Sequence, residues 1–133
     1  MKALLIIASM LFLTPFWQNN EEDELAESIA RGKEIYLNNC IVCHMGKGEG
    51  VAKLNPPLAG SDYLLKTPDK AIRAIKYGLQ DAIEVNGVKY KGMMPESGLE
   101  NEEIADVMNY ISNTWGNKSE RIFDAKIVEG IKK

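Results

Sequence analysis

Both cysteines and the only histidine of this 133-residue chain lie in one segment, Cys40-Ile41-Val42-Cys43-His44. Two thiols three positions apart can form thioether bonds to the two vinyl groups of one porphyrin, and this C-x-x-C-H spacing is the pattern of c-type haem attachment. The imidazole that follows the second cysteine can then supply the proximal nitrogen ligand of the iron. We therefore predict one covalently attached haem c, held by Cys40 and Cys43, with His44 as an iron ligand.

Three other uses of the segment compete with haem attachment: a structural disulfide, a thioredoxin-like redox pair and half of a zinc site. A closed structural zinc site takes four nitrogen or sulfur ligands, and the chain contains only three such side chains. A thioredoxin-like pair is expected beside a βαβ pattern, whereas a helical pattern precedes Cys40 and a glycine-rich loop follows His44. These arguments count against the zinc and thioredoxin-like interpretations and leave the disulfide open.

The second axial ligand of the iron cannot be another histidine, because His44 is the only one. Six methionines are candidates, and Met93 and Met94 stand in a loop that Pro95 stiffens. The other four lie in the N-terminal apolar segment, beside His44 or on an apolar helix stripe, where methionine usually fills a core (Met1, Met10, Met45 and Met108). Spacing alone does not choose between Met93 and Met94.

The segment after His44 contains several glycines and the run Pro56-Pro57-Leu58-Ala59-Gly60, which predicts a loop without regular structure. A histidine that binds a metal normally donates its other N–H to an acceptor that fixes the ring. We predict that the Pro56 carbonyl is this acceptor.

The remaining sequence predicts helices separated by loops. Small or apolar residues recur at helical spacing on one face of a first helix that leads into the haem segment (Leu25, Ile29, Gly32, Tyr36 and Cys40). Thr67 as N-cap and Pro68 in the first turn predict a short helix over 68–77 that ends at Gly78. The pair Asn86-Gly87 predicts a two-residue turn between strands 83–85 and 88–90.

A last helix is predicted from the spacing of its apolar residues, with Gly116 as its stop (Ile104, Val107, Met108, Ile111 and Trp115). The segment 117–133 is charged and sparsely apolar, which allows a short tail helix and suggests no function. We therefore divide the chain into residues 1–20, a domain over 21–116 and a C-terminal extension over 117–133.

Residues 1–20 have the pattern of an export signal, with Lys2 before an almost wholly apolar run from Ala3 to Trp17. About fifteen apolar residues fall short of the roughly 20 that span a bilayer. No small-x-small cleavage site follows, so an uncleaved membrane anchor remains an alternative. Either interpretation predicts a periplasmic protein or one on the outer face of the cytoplasmic membrane.

The charge of the chain is mildly acidic, with a formal net charge of −3. Lys2 is the one charged residue of the first twenty, and without them 15 basic side chains stand against 19 acidic ones. A nucleic-acid-binding domain would need a basic patch, so the balance gives no support to that class.

Four parts of the sequence together resemble the small class I cytochromes c in order and spacing over residues 24–116. They are the haem segment 40–44, the loop 56–60, the run Tyr90-Lys91-Gly92-Met93-Met94-Pro95 and the segment 109–115. The likeness is to monohaem domains found free or fused to haem-copper oxidase subunits and copper nitrite reductases. The resemblance implies an all-α fold of about four helices around one covalent haem, with a short β-hairpin before the methionine loop.

The resemblance also implies roles for particular residues. The methionine directly before the proline binds the iron in that family, which corresponds to Met94, and Leu58 is expected to contact the haem. Gly32 and Tyr36 are expected to pack against Val107 and Tyr110 of the last helix. Two departures, neither of which touches the iron, are Glu100 where relatives usually carry a serine cap and the tail after Trp115.

An iron with both axial positions filled has no open site for a substrate, so the implied function is one-electron transfer rather than catalysis. The expected partners are a quinol-oxidising complex and a terminal oxidase or reductase, with a possible membrane tether through the N-terminal segment. Two alternatives remain. One is a haem enzyme or gas sensor with an open or displaceable distal site, and the other is a subunit that works only inside a fixed redox complex.

Overall fold

The computed structural model describes residues 20–133, so residues 1–19, which carry most of the predicted export segment, lie outside it. The described chain contains six helices and one two-stranded antiparallel sheet. The elements are α1 (Asn20–Asn39), α2 (Ile41–His44), α3 (Asp62–Lys66), α4 (Pro68–Tyr77), β1 (Ile83–Val85), β2 (Val88–Tyr90), α5 (Asn101–Ile111) and α6 (Ala125–Gly130). This is the all-α fold with a small hairpin that the sequence predicts, although with six helices rather than about four. Within residues 20–133, no helix has both the length and the apolar character needed to cross a membrane.

The crossing of α1 and α5 is the most extensive helix contact among the described residues, and Gly32 lies within it. A Cβ atom at Gly32 would overlap the backbone carbonyl of Asp106 and would lie 2.8 Å from the Cβ of Tyr110. The ring of Tyr36 lies one turn further along α1, with its centroid 5.5 Å from that of Tyr110. The glycine therefore allows the two backbones to approach closely enough for the aromatic side chains to pack.

The short elements between α1 and α5 have the predicted limits. The helix α4 covers residues 68–77 and ends at Gly78, and β1 pairs with β2 across Asn86 and Gly87, both of which have a positive φ. One detail of the prediction was wrong. Thr67 occupies the N-cap position of α4, but its hydroxyl donates to the Tyr63 carbonyl of α3 at 2.6 Å and does not cap α4.

The helix α5 ends at Ile111, one turn earlier than the apolar spacing through Trp115 predicts. The chain tightens there, because the amide of Asn113 donates to the Tyr110 carbonyl three residues back. The Asn113 side chain also donates to the Asn109 carbonyl at 2.8 Å, which satisfies one of the last acceptors of the helix.

The segment 117–133 packs into the same core as the helices. Phe123 and Val128 are buried among the core residues, and Val128 belongs to the short tail helix α6. The Asn109 side chain exchanges two hydrogen bonds of 2.9 Å with the backbone N–H and C=O of Phe123. Polar contacts of this kind leave no apolar period in the sequence. The sequence therefore did not predict that this segment packs into the core.

Candidate haem site

The two cysteines and the histidine lie on a single helical turn at the end of α1. The amide of Cys40 donates to the Tyr36 carbonyl at 2.9 Å, so the helix continues almost unbroken into α2, where the amide of His44 donates to the Cys40 carbonyl at 3.0 Å. All three side chains line one cleft. Both thiols are free, and Cys43 is exposed while Cys40 is half-buried.

The Cys40 thiol is held in its neutral form. Burial, followed by the nearby Cys43, raises the pKa of Cys40 to about 11. No group of three or more His, Cys, Asp or Glu residues within 20–133 is arranged to hold a metal ion by itself. The two sulfur atoms are thus available at the cleft and are not part of a preformed metal site among the described residues.

The His44 ring is buried, with 9% of its surface exposed, and its orientation is fixed by one hydrogen bond. Its Nδ1 atom lies 3.0 Å from the carbonyl oxygen of Pro56. Because a carbonyl only accepts, Nδ1 carries the proton and Nε2 keeps its lone pair. Burial lowers the pKa of His44, and the bond to Pro56 opposes that shift in part. The lowered pKa favours the neutral ring, which is the form that binds a metal.

The loop that carries Pro56 is tied to the segment after His44 by backbone hydrogen bonds. The carbonyl of Gly48 accepts from the amides of Leu58 at 2.7 Å and Ala59 at 2.9 Å. Val51 and Asn55 form an isolated antiparallel bridge on the other side of the loop. These bonds hold Pro56 against His44, and Leu58 lines the cleft beside them.

On the opposite side, Met93 and Met94 both contribute to the cleft wall, but their environments differ. Met93 is 72% exposed to solvent. Met94 is half-buried and packs against the core, and its N–H and C=O exchange two hydrogen bonds of 2.8 Å with Leu79 at the end of α4. The Met94 backbone is therefore fixed, whereas the Met93 side chain extends into solvent.

The walls of the cleft are almost wholly apolar. Within the described chain no Asp, Glu, Lys or Arg side chain lines it, and its polar members are His44, the two thiols and a few hydroxyl and amide groups. The apolar walls come from the loops and from the core faces of α3, α4, α5 and the hairpin (Leu54, Pro56, Pro57, Leu58, Leu64, Ala71, Ala74, Ile75, Leu79, Ile83, Val85, Val107 and Ile111). A large apolar cofactor with few polar anchors suits such a surface. Two thiols, one imidazole nitrogen and one thioether in the same cleft form a donor set that fits a covalently held porphyrin iron.

Aromatic residues behind the haem segment support it, and sequence reasoning did not assign them this position. The Tyr36 hydroxyl donates to the Met45 carbonyl at 2.6 Å, directly after His44. The Trp115 ring lies 5.0 Å from the Tyr36 ring and packs on Gly48, in the loop that follows His44. Asn117 bonds to the same loop at Leu58 and Gly60. The resemblance includes the segment 109–115, but spacing along the chain could not place the Trp115 ring against residues 45–60.

Comparison with known proteins gives one family. The Cytochrome c family model matches residues 29–115. The chain is 42% identical over 113 residues to cytochrome c-552 of Thermus thermophilus, an alignment that covers 81% of this chain and 71% of that protein. It is 29% identical to the cytochrome c subunit of alcohol dehydrogenase (quinone) of Gluconobacter oxydans, over 76% of this chain and 22% of that protein. It is 28% identical to a subunit of the nitric oxide reductase of Stutzerimonas stutzeri, over 77% of this chain and 68% of that protein.

Proposed function

Because this chain belongs to the cytochrome c family, whose members carry covalently attached haem c, we propose that it transfers single electrons with His44 and Met94 as axial ligands. The observation that carries the proposal is the shared cleft. Both thiols, the free Nε2 atom of His44 and the half-buried Met94 line the same apolar space.

In this proposal, Cys40 and Cys43 hold the cofactor covalently, and the bound haem iron supplies the site that accepts and releases one electron. The protein fixes the geometry around that site. Pro56 orients the imidazole on one side through its 3.0 Å hydrogen bond, and the Met94–Leu79 backbone pair holds the thioether residue on the other. Fixed ligands on both sides mean that little structure has to rearrange when the charge of the site changes.

The absence of charged side chains from the described part of the cleft agrees with electron transfer rather than catalysis. Catalysis of a substrate reaction usually needs a positioned acid, base or nucleophile, and His44 is already committed to Pro56 through Nδ1. Apolar walls exclude water and, together with sulfur ligation by methionine, favour a high reduction potential. Members of this family act as electron carriers or redox subunits.

The proposed partners are redox proteins, such as a quinol-oxidising complex on one side and a terminal oxidase or reductase on the other. Two of the similar proteins are named as subunits of a quinone-dependent alcohol dehydrogenase and of nitric oxide reductase, which supports partners of this class. We propose a location in the periplasm or on the outer face of the cytoplasmic membrane, with residues 1–20 as an export signal or a tether.

Visible spectra of the oxidised and reduced holoprotein, with and without carbon monoxide, test the ligand assignment. The wild-type protein is expected to show a low-spin c-type spectrum with a sulfur-to-iron charge-transfer band and no response to carbon monoxide. Met94→Ala is expected to lose that band and to bind carbon monoxide. Met93→Ala is the matched control and should keep the wild-type spectra, because its side chain is mainly in solvent.

Two results would overturn the assignment in different ways. Ready binding of carbon monoxide by the wild-type protein would indicate an open distal site and hence a haem enzyme or gas sensor. Loss of sulfur ligation in Met93→Ala alone would move the ligand by one residue and leave electron transfer in place.

A further inference from the structure

Asn117, at the start of the C-terminal segment, is a buried polar residue, and both the nitrogen and the oxygen of its side-chain amide are hydrogen-bonded. Its Nδ2 atom donates to the Leu58 carbonyl at 2.9 Å and to the Ile111 carbonyl at 2.8 Å. Its Oδ1 atom accepts from the Gly60 amide at 2.8 Å. A flipped amide would point its NH2 group at the Gly60 N–H and its oxygen at two carbonyls, so these contacts fix a single orientation.

The position of Asn117 comes from the turn after α5. Trp115 and Gly116 have φ values of 53° and 83°, and two successive left-handed residues reverse the chain there. The reversal directs the Asn117 side chain back onto the loop that contains Pro56. Asn117 therefore joins the end of α5, at Ile111, to residues 58 and 60 of that loop.

The loop depends on anchors of this kind because Pro56 and Pro57 have no N–H groups with which to form backbone hydrogen bonds. Their position is set by the residues on either side. Before them stands the Val51–Asn55 bridge, and after them Leu58 is held through its N–H by Gly48 and through its C=O by Asn117. Without Asn117, the Leu58 carbonyl would keep only the longer bond of 3.3 Å from the Ser61 amide, two residues from the Pro56 carbonyl that orients His44.

We propose that Asn117 is a positioning residue for His44, acting through the loop 56–60 on the hydrogen bond between Nδ1 and the Pro56 carbonyl. The proposal rests on the proposed role of His44 as an iron ligand. A strong N–H to carbonyl bond makes the imidazole a better electron donor, which favours the oxidised iron. Loosening the loop weakens that bond and shifts the balance toward the reduced protein.

The test compares holoproteins carrying Asn117→Ala, Asn117→Leu or Asn113→Ala. Leucine has the same number and branching of side-chain heavy atoms as asparagine but forms no hydrogen bonds. Asn113 is the matched control, because it contacts Asn109 and Ser119 but no residue of the loop. At a fixed applied potential, both Asn117 variants should show a ratio of reduced to oxidised protein at least about threefold higher than wild type. This is a smaller effect than the roughly 10–100-fold loss of metal affinity or activity that mutating an outer hydrogen-bond partner typically causes, because the Pro56 bond is weakened and not removed. Asn113→Ala should leave the ratio unchanged.

Proton exchange at His44 distinguishes a local effect from a general loss of stability, because a general loss would also speed exchange elsewhere in the protein. In both Asn117 variants, the Nδ1 proton measured by NMR should exchange faster with solvent, while amides in the centres of α1 and α5 exchange as in wild type. An unchanged potential and unchanged His44 exchange would overturn the proposal. So would equal shifts in Asn113→Ala.

Should neither Asn117 variant fold, exchange in the wild-type holoprotein decides the question. The side-chain amide of Asn117, the Gly60 amide and the Nδ1 proton of His44 should open together, with the same dependence on denaturant. Independent opening of His44 would overturn the proposal. Carbon monoxide binding by wild type would count against Met94 ligation only, because the Asn117 comparison concerns the opposite side of the iron.

Discussion

Met94 and Leu79 exchange two backbone hydrogen bonds of 2.8 Å, which fasten the methionine loop to the end of α4. Leu79 reaches this position because Gly78 ends α4 with φ 77° and ψ 172°, a conformation that side chains strongly disfavour. A Cβ atom at Gly78 would also lie 2.9 Å from the Met94 carbonyl oxygen. The position of the proposed distal ligand therefore depends on the absence of a side chain sixteen residues earlier.

Gly78→Ala is expected to destabilise the holoprotein by about 2–3 kcal/mol, from backbone strain and from the contact with the Met94 loop. It should also make the distal site accessible to carbon monoxide, since the loop has to move. The control is Gly98→Ala, which has a φ of 68° but open space around its Cβ. That change should cost about 1–2 kcal/mol and leave carbon monoxide binding as in wild type. Equal carbon monoxide binding in the two variants would contradict the proposed link between Gly78 and Met94.

Gly32→Ala is expected to destabilise the fold by about 3 kcal/mol or more, because the new methyl group meets the backbone of Asp106, which cannot rotate away. Urea unfolding of the holoprotein measures the change. The matched helical control is Gly130→Ala in α6, where nothing lies within 4 Å of the added Cβ. There alanine should be neutral or stabilising by up to about 1 kcal/mol. A free energy of unfolding for Gly32→Ala that differs from wild type by less than about 0.5 kcal/mol, the usual range for a surface substitution, would contradict the close helix crossing.

Phe123→Ala is expected to cost about 3–5 kcal/mol, since the ring is 3% exposed and belongs to the core of the whole domain. Its neighbour provides the control, because Ile122 is 46% exposed and Ile122→Ala should change the free energy of unfolding by no more than about 0.5 kcal/mol. Denaturant melts followed by absorbance and by far-UV circular dichroism should coincide for both variants. A Phe123→Ala protein as stable as wild type would mean that the C-terminal segment is an appendage rather than part of the core.

Much of the chain could be interpreted from short patterns because the relevant contacts are local. The C-x-x-C-H spacing places two thiols and an imidazole on one helical turn, whatever surrounds them. Asn86 and Gly87 tolerate the positive φ values of a two-residue turn, and Pro68 and Gly78 mark the ends of α4. Met108 on the apolar face of α5 is fully buried, as its position in the helical period indicates.

The errors arose where a side chain has a partner other than the one that its helical pattern predicts. Thr67 has the residue type of an N-cap, but the Tyr63 carbonyl of α3 takes its hydroxyl. The apolar spacing of α5 continues to Trp115, yet the helix ends at Ile111, after which Trp115 packs on Gly48 and Tyr36. In both cases the side chain makes a contact that its position in the helical pattern does not predict.

The sequence by itself determined the haem segment, the neighbouring histidine, the absence of a second histidine and the two candidate methionines, because residue type and spacing along the chain suffice for each. Only the tertiary structure decided that Met94 faces the core while Met93 faces solvent, and that Asn117 fastens the loop whose Pro56 carbonyl meets His44. These relationships join residues that are 12 to 59 positions apart. Hydrogen bonds over such separations leave no period in the sequence, since they depend on where the folded helices place each backbone carbonyl and amide.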